Sequence, residues 1–339
     1  GAYPRLSWSL KPYVSPSLFD PEEPVRVDLG VALSGRYEFS PGIIFEGELR
    51  QKIAGNVSDN TKVGAASGGW PVVRSDGVRY SASDTPTISY LTGAWYGQLS
   101  PTVYGRVTAG LFERAYGGVS GEVLWKPTDS RLALGAEVNW VKKRDYDQRF
   151  SFQDYKTTTG HLSAYYDFGG GILGQVDVGK YLAGDVGATV SVDREFANGW
   201  KLGGWVTKTD MSSKDYGEGS FDKGVRLTIP LSWAVGTPST RSQSVTLRPV
   251  TRDGGAKLTV GGSIEESASS QAQVFAVLPA AIVLICVLLM VQLQNIKKML
   301  LVLATGPLAL IGVALTLALF QIPFGFVAML GSLSLFGMV

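Results

Sequence analysis

Residues 131–140 read RLALGAEVNW, and this stretch decides the fold class of the region around it. Apolar residues alternate with small or polar ones, so that one face of an extended chain carries Leu132, Leu134, Ala136, Val138 and Trp140. Successive side chains of a β-strand point to opposite faces, so this period of two predicts a strand with one apolar and one more polar face.

The same alternation recurs along the chain until about Leu258. It is clearest in GHLSAYYDF, GILGQVDVG, GATVSVDREF, GWKLGGWVTK and GVRLTIPLSW, which lie at residues 160–168, 171–179, 187–196, 199–208 and 224–233. Between these stretches lie short sequences rich in Gly, Asn, Asp and Pro, where a chain readily reverses direction. Strands of about ten residues joined by short turns, with no amphipathic helix between them, predict an antiparallel meander.

Aromatic residues near the ends of these stretches resemble the girdles of an outer-membrane β-barrel: Trp140, Tyr165, Tyr166, Trp200, Trp205 and Trp233. The face opposite the apolar one is rich in Gly, Ser, Thr, Asp and Lys, as expected for a polar lumen. A soluble β-sandwich is the alternative, but it would need a second apolar face. We therefore predict a mainly β fold, an antiparallel up-and-down outer-membrane β-barrel or a large part of one.

Charge and reactive residues exclude several function classes. The 339 residues carry a formal net charge of +2 and no basic block, so we expect no nucleic-acid partner. Cys286 is the single cysteine and His161 the single histidine, so neither a disulfide framework nor a Cys/His metal site is expected. We expect Cys286 to be a packing thiol, His161 to be a wall or turn histidine, and no cofactor.

The sequence after Glu266 changes character, because its only charged residues are Lys297 and Lys298. Its apolar runs predict about three transmembrane helices that follow the β region, at about residues 274–293, 299–320 and 324–339. Lys297 and Lys298 lie between the first two runs, which places that loop in the cytoplasm by the positive-inside rule. A buried soluble hairpin is the alternative, which three successive charge-free runs disfavour.

Two groups of charged residues are candidate contacts for a polysaccharide. The stretch VKKRDYDQRF places mixed charges beside aromatic rings, as a sugar-binding groove does, with Lys142, Lys143, Arg144, Asp145, Tyr146, Asp147 and Arg149. The stretch GEGSFDKG contains Glu218, Asp222 and Lys223. The carboxylates of Glu218 and Asp222 could form a pair for glycoside cleavage. A hydrated strand end or loop would carry the same residues, and we expect neither catalysis nor a bound metal.

Long ordered phrases resemble a known family. Residues 117–168 (GGVSGEVLWKPTDSRLALGAEVNWVKKRDYDQRFSFQDYKTTTGHLSAYYDF) and residues 178–210 resemble the C-terminal part of the YjbH family of Gram-negative outer-membrane proteins. The resemblance covers about residues 4–258. It implies an outer-membrane β-barrel, not an enzyme, tied to exopolysaccharide production or export. The expected partners are the lipid bilayer, an exopolysaccharide and other polysaccharide-export proteins.

The last 80 or so residues resemble another family. The stretches GGSIEESASSQAQVFAVLP, at 261–279, and PFGFVAMLGSLSLFGMV, at 323–339, are similar to the second half of a resistance-nodulation-division (RND) efflux permease. The spans contain no ionisable residue for a proton relay, so we expect no pumping by this chain alone. The alternative function is a fragment of this inner-membrane permease, with the β region as a fused appendage. Its helices would need partner helices absent from this chain.

These observations predict three regions: residues 1–258 as the β-barrel region, 259–273 as a junction with a remnant of the last porter strand, and 274–339 as permease-like helices. A barrel is inserted into the outer membrane, whereas apolar helices are retained in the inner membrane, so the two destinations conflict. We therefore expect a joined or truncated product. A natural fusion, a gene-model error and an assembly chimera all remain open. Because neither Met nor a signal peptide begins the chain, we also expect a fragment or a processed chain.

Overall fold

The structure is a computed structural model that describes residues 3–18, 25–57, 69–81, 85–212, 215, 221–230, 242–247 and 253–260. All of these belong to one unit of the chain, Gly1–Gln273. The three predicted transmembrane helices lie outside the described residues, together with Cys286, Lys297, Lys298, Trp233 and Glu218. Among the described residues, no helix combines the length and the hydropathy that crossing a membrane requires.

The described residues form a sheet of 13 strands in chain order. The strands are β1 Arg5–Leu18, β2 Val25–Ser40, β3 Ile43–Gly55, β4 Thr87–Ser100, β5 Val103–Leu111, β6 Tyr116–Trp125, β7 Leu132–Arg144, β8 Phe152–Gly169, β9 Ile172–Lys180, β10 Val186–Glu195, β11 Lys201–Thr209, β12 Asp222–Pro230 and β13 Ser242–Leu247. Every strand pairs antiparallel with the next one along the chain. The predicted antiparallel meander is therefore confirmed.

The two ends of the sheet differ in their connections. At one end, which we call the turn end, short connections join β2 to β3, β4 to β5, β6 to β7, β8 to β9 and β10 to β11. Gly42 and Gly171 lie in two of these turns with φ of +84° and +78°. Residues that carry a Cβ rarely adopt this backbone conformation. The opposite end, which we call the loop end, carries the long connection from β3 to β4 with its 3₁₀ helix Gly77–Ser81.

The sheet has one apolar and one polar face. Leu132, Leu134, Val138 and Trp140 on β7 are 37%, 45%, 62% and 51% exposed, whereas Asn139 between them is buried. The same alternation continues from β1 to β12, so that large apolar side chains cover one face and remain exposed. Because this is one sheet rather than two packed ones, the sandwich alternative is wrong for the described residues.

Two aromatic residues assigned to a girdle lie elsewhere. Trp205 lies near the middle of β11 and Tyr165 lies on β8, and both belong to the polar face by their registers opposite Ser191 and Gln175. The alternation itself assigns them to this face, because the apolar residues Val206 on β11 and Leu162 on β8 have the opposite parity. No hydrogen-bonded register joins β1 to β13 among the described strands, so these two are the edges of the sheet as described.

A hydrophobic cluster lies at the loop end of the polar face. It consists of buried side chains from four loops or strand ends and from the β3–β4 connection: Val73, Tyr80, Phe112, Ala115, Tyr116, Val141, Leu182, Ala183 and Met211. Ala256, Leu258 and Val260, which follow β13, pack against it. Two segments, residues 69–81 and 253–260, therefore fold onto this end of the sheet; we call them the inner segments.

Candidate functional site

Opposite charges face each other across the strands of the polar face. Arg106 Nη2 lies 2.7 Å from a carboxylate oxygen of Glu122, directly opposite it in the β5–β6 register. Arg36 pairs in the same way with Glu46 across β2 and β3, with Nη1 and Oε2 3.2 Å apart. Directly opposed residues of unlike charge stabilise a sheet, so the alternating pattern of each strand also produces a ladder of ion pairs.

Hydroxyl, amide and imidazole groups continue this polar surface across the later strands. The Tyr181 hydroxyl lies 2.6 Å from Thr189 Oγ1, which lies 2.8 Å from Thr207 Oγ1. His161, 4% exposed, has Nδ1 2.9 Å from a Glu137 carboxylate oxygen, so it is a wall residue as the sequence predicted. The second face of the sheet is therefore a hydrogen-bonded polar surface rather than a hydrophobic core.

Asp253 joins the two inner segments. Its Oδ1 accepts hydrogen bonds from the backbone N–H groups of Val73, Arg74 and Ser75, at 2.8, 2.7 and 3.0 Å. Its Oδ2 accepts the Ser75 hydroxyl at 2.7 Å. Successive backbone N–H groups that converge on one oxygen form an anion-binding nest, which this carboxylate occupies.

Further contacts fasten residues 253–260 to the sheet. Gly255 N–H donates to an Asp185 carboxylate oxygen at 2.8 Å, and the Ala256 carbonyl accepts Leu182 N–H at 3.0 Å. Lys257 Nζ lies 2.5 Å from Asp177 Oδ2, on the polar face of β9. The segment is thus held by backbone and charged groups at several points, in addition to its apolar packing.

Glu113 connects the loop end to the same segment. Burial raises the pKa of its carboxyl, an effect that Arg74, 2.7 Å away, and the backbone N–H of Thr259 oppose. Arg74 also donates to the Lys257 carbonyl at 2.8 Å. Contacts with this end of the sheet therefore continue through Thr259 and Val260, two residues beyond the predicted end of the β region. The three predicted domain boundaries stay predictions.

Two candidate polysaccharide contacts are buried in this arrangement. Lys143 is 2% exposed, and its Nζ donates to Asp76 Oδ2 at 2.6 Å and to the Val72 carbonyl at 2.7 Å. Arg144 is fully buried and donates to four backbone carbonyls, those of Ser89, Glu113, Gln148 and Arg149. Both side chains are bound by the protein itself and hold the loop end together.

The rest of the VKKRDYDQRF group lies at the surface or next to it. The Tyr146 hydroxyl donates to Asp76 at 2.8 Å, and Lys142 is partly exposed. Asp145, Asp147 and Arg149 are exposed in the β7–β8 connection. Although burial raises the pKa of Asp147, the Arg149 N–H and the Ser151 hydroxyl lower it more. A glycan contact stays a prediction, which now applies to the exposed members of this group.

The second candidate group is separated from the first by the strands β8 to β11. Asp222 and Lys223 begin β12 rather than lie in a Gly-rich turn. Asp222 accepts the Trp205 indole N–H at 3.0 Å, and Lys223 Nζ lies 4.6 Å from the centre of the Phe221 ring. Glu218 is outside the described residues, so the predicted carboxylate pair stays a prediction. No three His, Cys, Asp or Glu side chains of the described residues gather as a metal site.

A cleft that sequence reasoning missed opens on the polar face near the loop end of β1 to β4. The space between its walls, together with the open solvent above it, is about 400 Å³. The cleft is lined by Tyr13, Ser15, Asp28, Arg50, Lys52, Tyr80, Ser81, Thr87, Arg114 and Gln148. These residues come from distant parts of the chain. One signal was visible in FEGELRQK, where Glu46, Glu48, Arg50 and Lys52 place a charge at every second position of β3.

Two family models match the chain. The YjbH model, described as an exopolysaccharide biosynthesis protein, matches residues 2–265. The model of the AcrB/AcrD/AcrF family matches residues 242–339, which confirms the resemblance of the C-terminal part to a fragment of an RND permease. The two matches overlap over residues 242–265, a range that includes β13 and the segment 253–260.

Individual proteins also align with this chain. Two engineered variants of the porin of Rhodopseudomonas blastica align with 71% of this chain and 94% of their own, at 12% and 13% identity and TM-scores of 0.34 and 0.35. The fold of this chain is assigned from its own strand registers and not from these alignments.

The uncharacterized lipoprotein YjbH of Escherichia coli strain K12 is 33% identical over 260 residues. That alignment covers 75% of this chain and 37% of the relative, so the chain spans little more than a third of the relative's length. With a family match over most of its length and this relative, the chain belongs to the YjbH family.

Proposed function

We propose that the β region is part of an outer-membrane β-barrel that serves exopolysaccharide production or export and has no enzyme activity of its own. The observation that carries this proposal is the division of one up-and-down sheet into an exposed apolar face and a hydrogen-bonded polar face. In water, a contiguous apolar surface of this size is costly, whereas in a bilayer it is the favourable outer surface of a barrel.

The height of the apolar face agrees with a membrane. On β2 the exposed apolar side chains run from Leu29 to Phe39, with Leu33 between them. Ten residue steps at about 3.4 Å each give about 34 Å along the strand. A strand tilt of about 40° reduces this to about 26 Å along the barrel axis, close to the apolar band of about 25 Å in outer-membrane barrels.

Aromatic side chains on the apolar face collect near the turn end. Those that are at least 38% exposed there are Phe39, Phe45, Trp95, Trp125, Tyr166 and Phe168. Rings at this position suit the boundary between the hydrocarbon and the headgroups of a bilayer, because one edge is apolar and the other tolerates water. This belt supports a membrane boundary at the turn end.

The family description and the chemistry of the polar face support the link to an exopolysaccharide. A face of paired charges, hydroxyl groups and amides keeps water at its surface and offers hydrogen bonds to sugar hydroxyls. Glu122 and Glu137 on this face serve in an ion pair and a hydrogen bond with neighbouring side chains. The proposed partners are therefore the lipid bilayer, an exopolysaccharide and other polysaccharide-export proteins.

The alternative is that the permease-like residues determine the function and that the β region is a fused appendage. The family match over residues 242–339 favours it. The described part of that range at 253–260 is, however, built into the loop end of the sheet through Asp253, Gly255 and Lys257. The longer coverage by the YjbH match supports the first function.

Fractionation of a Gram-negative host that secretes the full chain tests the proposal. We expect the chain in the outer-membrane fraction, with electrophoretic migration that changes on heating, as it does for folded barrels. In a host that lacks its own homologue, the amount of secreted polysaccharide should rise. Recovery with inner-membrane markers and no heat-dependent migration would instead support the permease alternative.

A further inference from the structure

Four hydrogen-bonding groups in the cleft on the polar face have no protein partner among the described residues. Arg50 donates its Nε–H to a Glu48 carboxylate oxygen at 2.7 Å, and its two terminal amino groups donate to no described residue. The hydroxyl groups of Tyr13 and Ser15, which also line the cleft, have no described partner either. Such groups are suited to bind a ligand.

Arg50 is held in position before any ligand arrives. Its Glu48 partner lies two residues earlier on the same face of β3, and its guanidinium carbon lies 5.4 Å from the centre of the Tyr13 ring. Gly30 makes room for that ring, because a Cβ at Gly30 would lie 2.5 Å from Tyr13 Cε1. A guanidinium fixed in this way loses little side-chain entropy when it binds, and its planar fork matches a carboxylate.

Cations outnumber anions among the residues that line the cleft, with Arg50, Lys52 and Arg114 against Asp28. Arg50 also pairs with Glu48, 2.7 Å away, and Lys52 Nζ lies 3.2 Å from a carboxylate oxygen of Asp28. The Arg50 side chain is 14% exposed and that of Lys52 is 8% exposed, so their charges act where water is partly excluded. An anion gains more from such a site than from cations at an open surface.

We propose that this cleft binds an acidic saccharide unit, with its carboxylate on the Arg50 guanidinium and its hydroxyl groups on Tyr13 and Ser15. Glu48 already accepts the Nε–H of Arg50, and a neutral sugar would offer its two terminal amino groups only uncharged acceptors, so the site favours a uronate-like residue. The choice of a saccharide over another anion rests on the proposed function, whereas the anionic character rests on the cleft alone.

Binding of defined probes to the full chain in detergent, measured by calorimetry, tests this assignment. The probes are trigalacturonate, the neutral maltotriose and inorganic phosphate. Arg50→Gln removes the fork, and Tyr13→Phe removes one hydroxyl group while keeping the ring. Arg106→Gln is the matched control, because Arg106 also pairs with a glutamate on the polar face, at 2.7 Å, with a side chain that is 15% exposed, but does not line the cleft.

We expect trigalacturonate to bind at least about tenfold more tightly than maltotriose, and Arg50→Gln to remove most of that difference. Tyr13→Phe should weaken binding by about threefold or more, whereas Arg106→Gln should leave it within about twofold. Equal losses from Arg50→Gln and Arg106→Gln, or equal affinity for maltotriose, would overturn the proposal. Phosphate binding as tight as that of trigalacturonate, with the same dependence on Arg50, would overturn the saccharide class.

The binding measurement is independent of localisation and of polysaccharide output. A chain that reaches the outer membrane and yet does not bind trigalacturonate refutes the cleft assignment and leaves the proposed function intact. A chain that binds trigalacturonate through Arg50 and yet fractionates with the inner membrane refutes the proposed function. Heat-dependent migration of each variant verifies that it is folded before its affinity is compared.

Discussion

Neighbouring residues of like chemistry serve different purposes at the loop end. Lys142 and Lys143 are consecutive, but strand parity sends them to opposite faces of β7. Lys143 is buried against Asp76, whereas Lys142 is partly exposed with no described ion-pair partner. Removing one member of a buried ion pair leaves the other charge desolvated and unpaired, which costs far more than the pair itself contributes.

Lys143→Ala should therefore lower the free energy of unfolding by about 3–5 kcal/mol. Lys142→Ala should change it by less than about 0.5 kcal/mol, as is usual for an exposed position. Urea unfolding of each variant in detergent, followed by tryptophan fluorescence, measures both values. Equal effects of the two substitutions would contradict the structural role of Lys143.

At the scale of a strand, parity determines which side chains face lipid in the proposed barrel. β10 illustrates this, because Val190 on the apolar face is 50% exposed and lies opposite Val176 and Val206 in the registers with β9 and β11. Ser191, the next residue, lies on the polar face opposite Gln175 and Trp205. Adjacent positions near the middle of one strand thus lie on faces of opposite polarity.

Val190→Arg should impair folding into lipid vesicles by about 2–4 kcal/mol, because it places a charge near the middle of the apolar band. Ser191→Arg adds the same side chain to the polar face and should cost much less. Reversible urea titration of both variants in vesicles measures the difference. If Ser191→Arg is as costly as Val190→Arg, the apolar face does not contact lipid.

At the scale of the whole molecule, the inner segments join parts of the chain that are far apart in the sequence. Asp253 is bound by the backbone of residues 73–75, about 180 positions earlier, and Lys257 is paired with Asp177 on β9. These contacts belong to the same unit as the sheet. Residues 253–260 therefore behave as a part of the β region's fold.

A chain that ends at residue 260 should keep the β content and the protease resistance of the full chain, because each strand's backbone bonds are made within the sheet. A chain that ends at residue 252 should lose about 3–5 kcal/mol of stability, since it loses the charge-assisted hydrogen bonds of Asp253 and Lys257. Circular dichroism and limited proteolysis in detergent compare the three chains. Loss of the β signal in the chain that ends at residue 260, but not in the full chain, would show that residues 261–339 are required.

Much of the fold could be predicted because its causes are local. A strand alternates its side chains whatever surrounds it, so RLALGAEVNW was sufficient to assign Leu134 and Val138 to one face and Asn139 to the other. Turn residues such as Gly42 and Gly171 likewise act through their own φ angles. The antiparallel order follows from short connections, which allow a strand to pair only with its neighbour.

The sequence by itself determined the two-faced strands, the meander and the YjbH resemblance, all of which depend on neighbouring residues or on their order along the chain. Only the tertiary structure decided that Lys143 and Arg144 are buried and that Arg50 lines a cleft with Tyr13. The physical reason is that burial and pairing depend on groups far apart in the chain, such as Lys143 and Asp76 or Asp253 and Ser75, which no local pattern specifies.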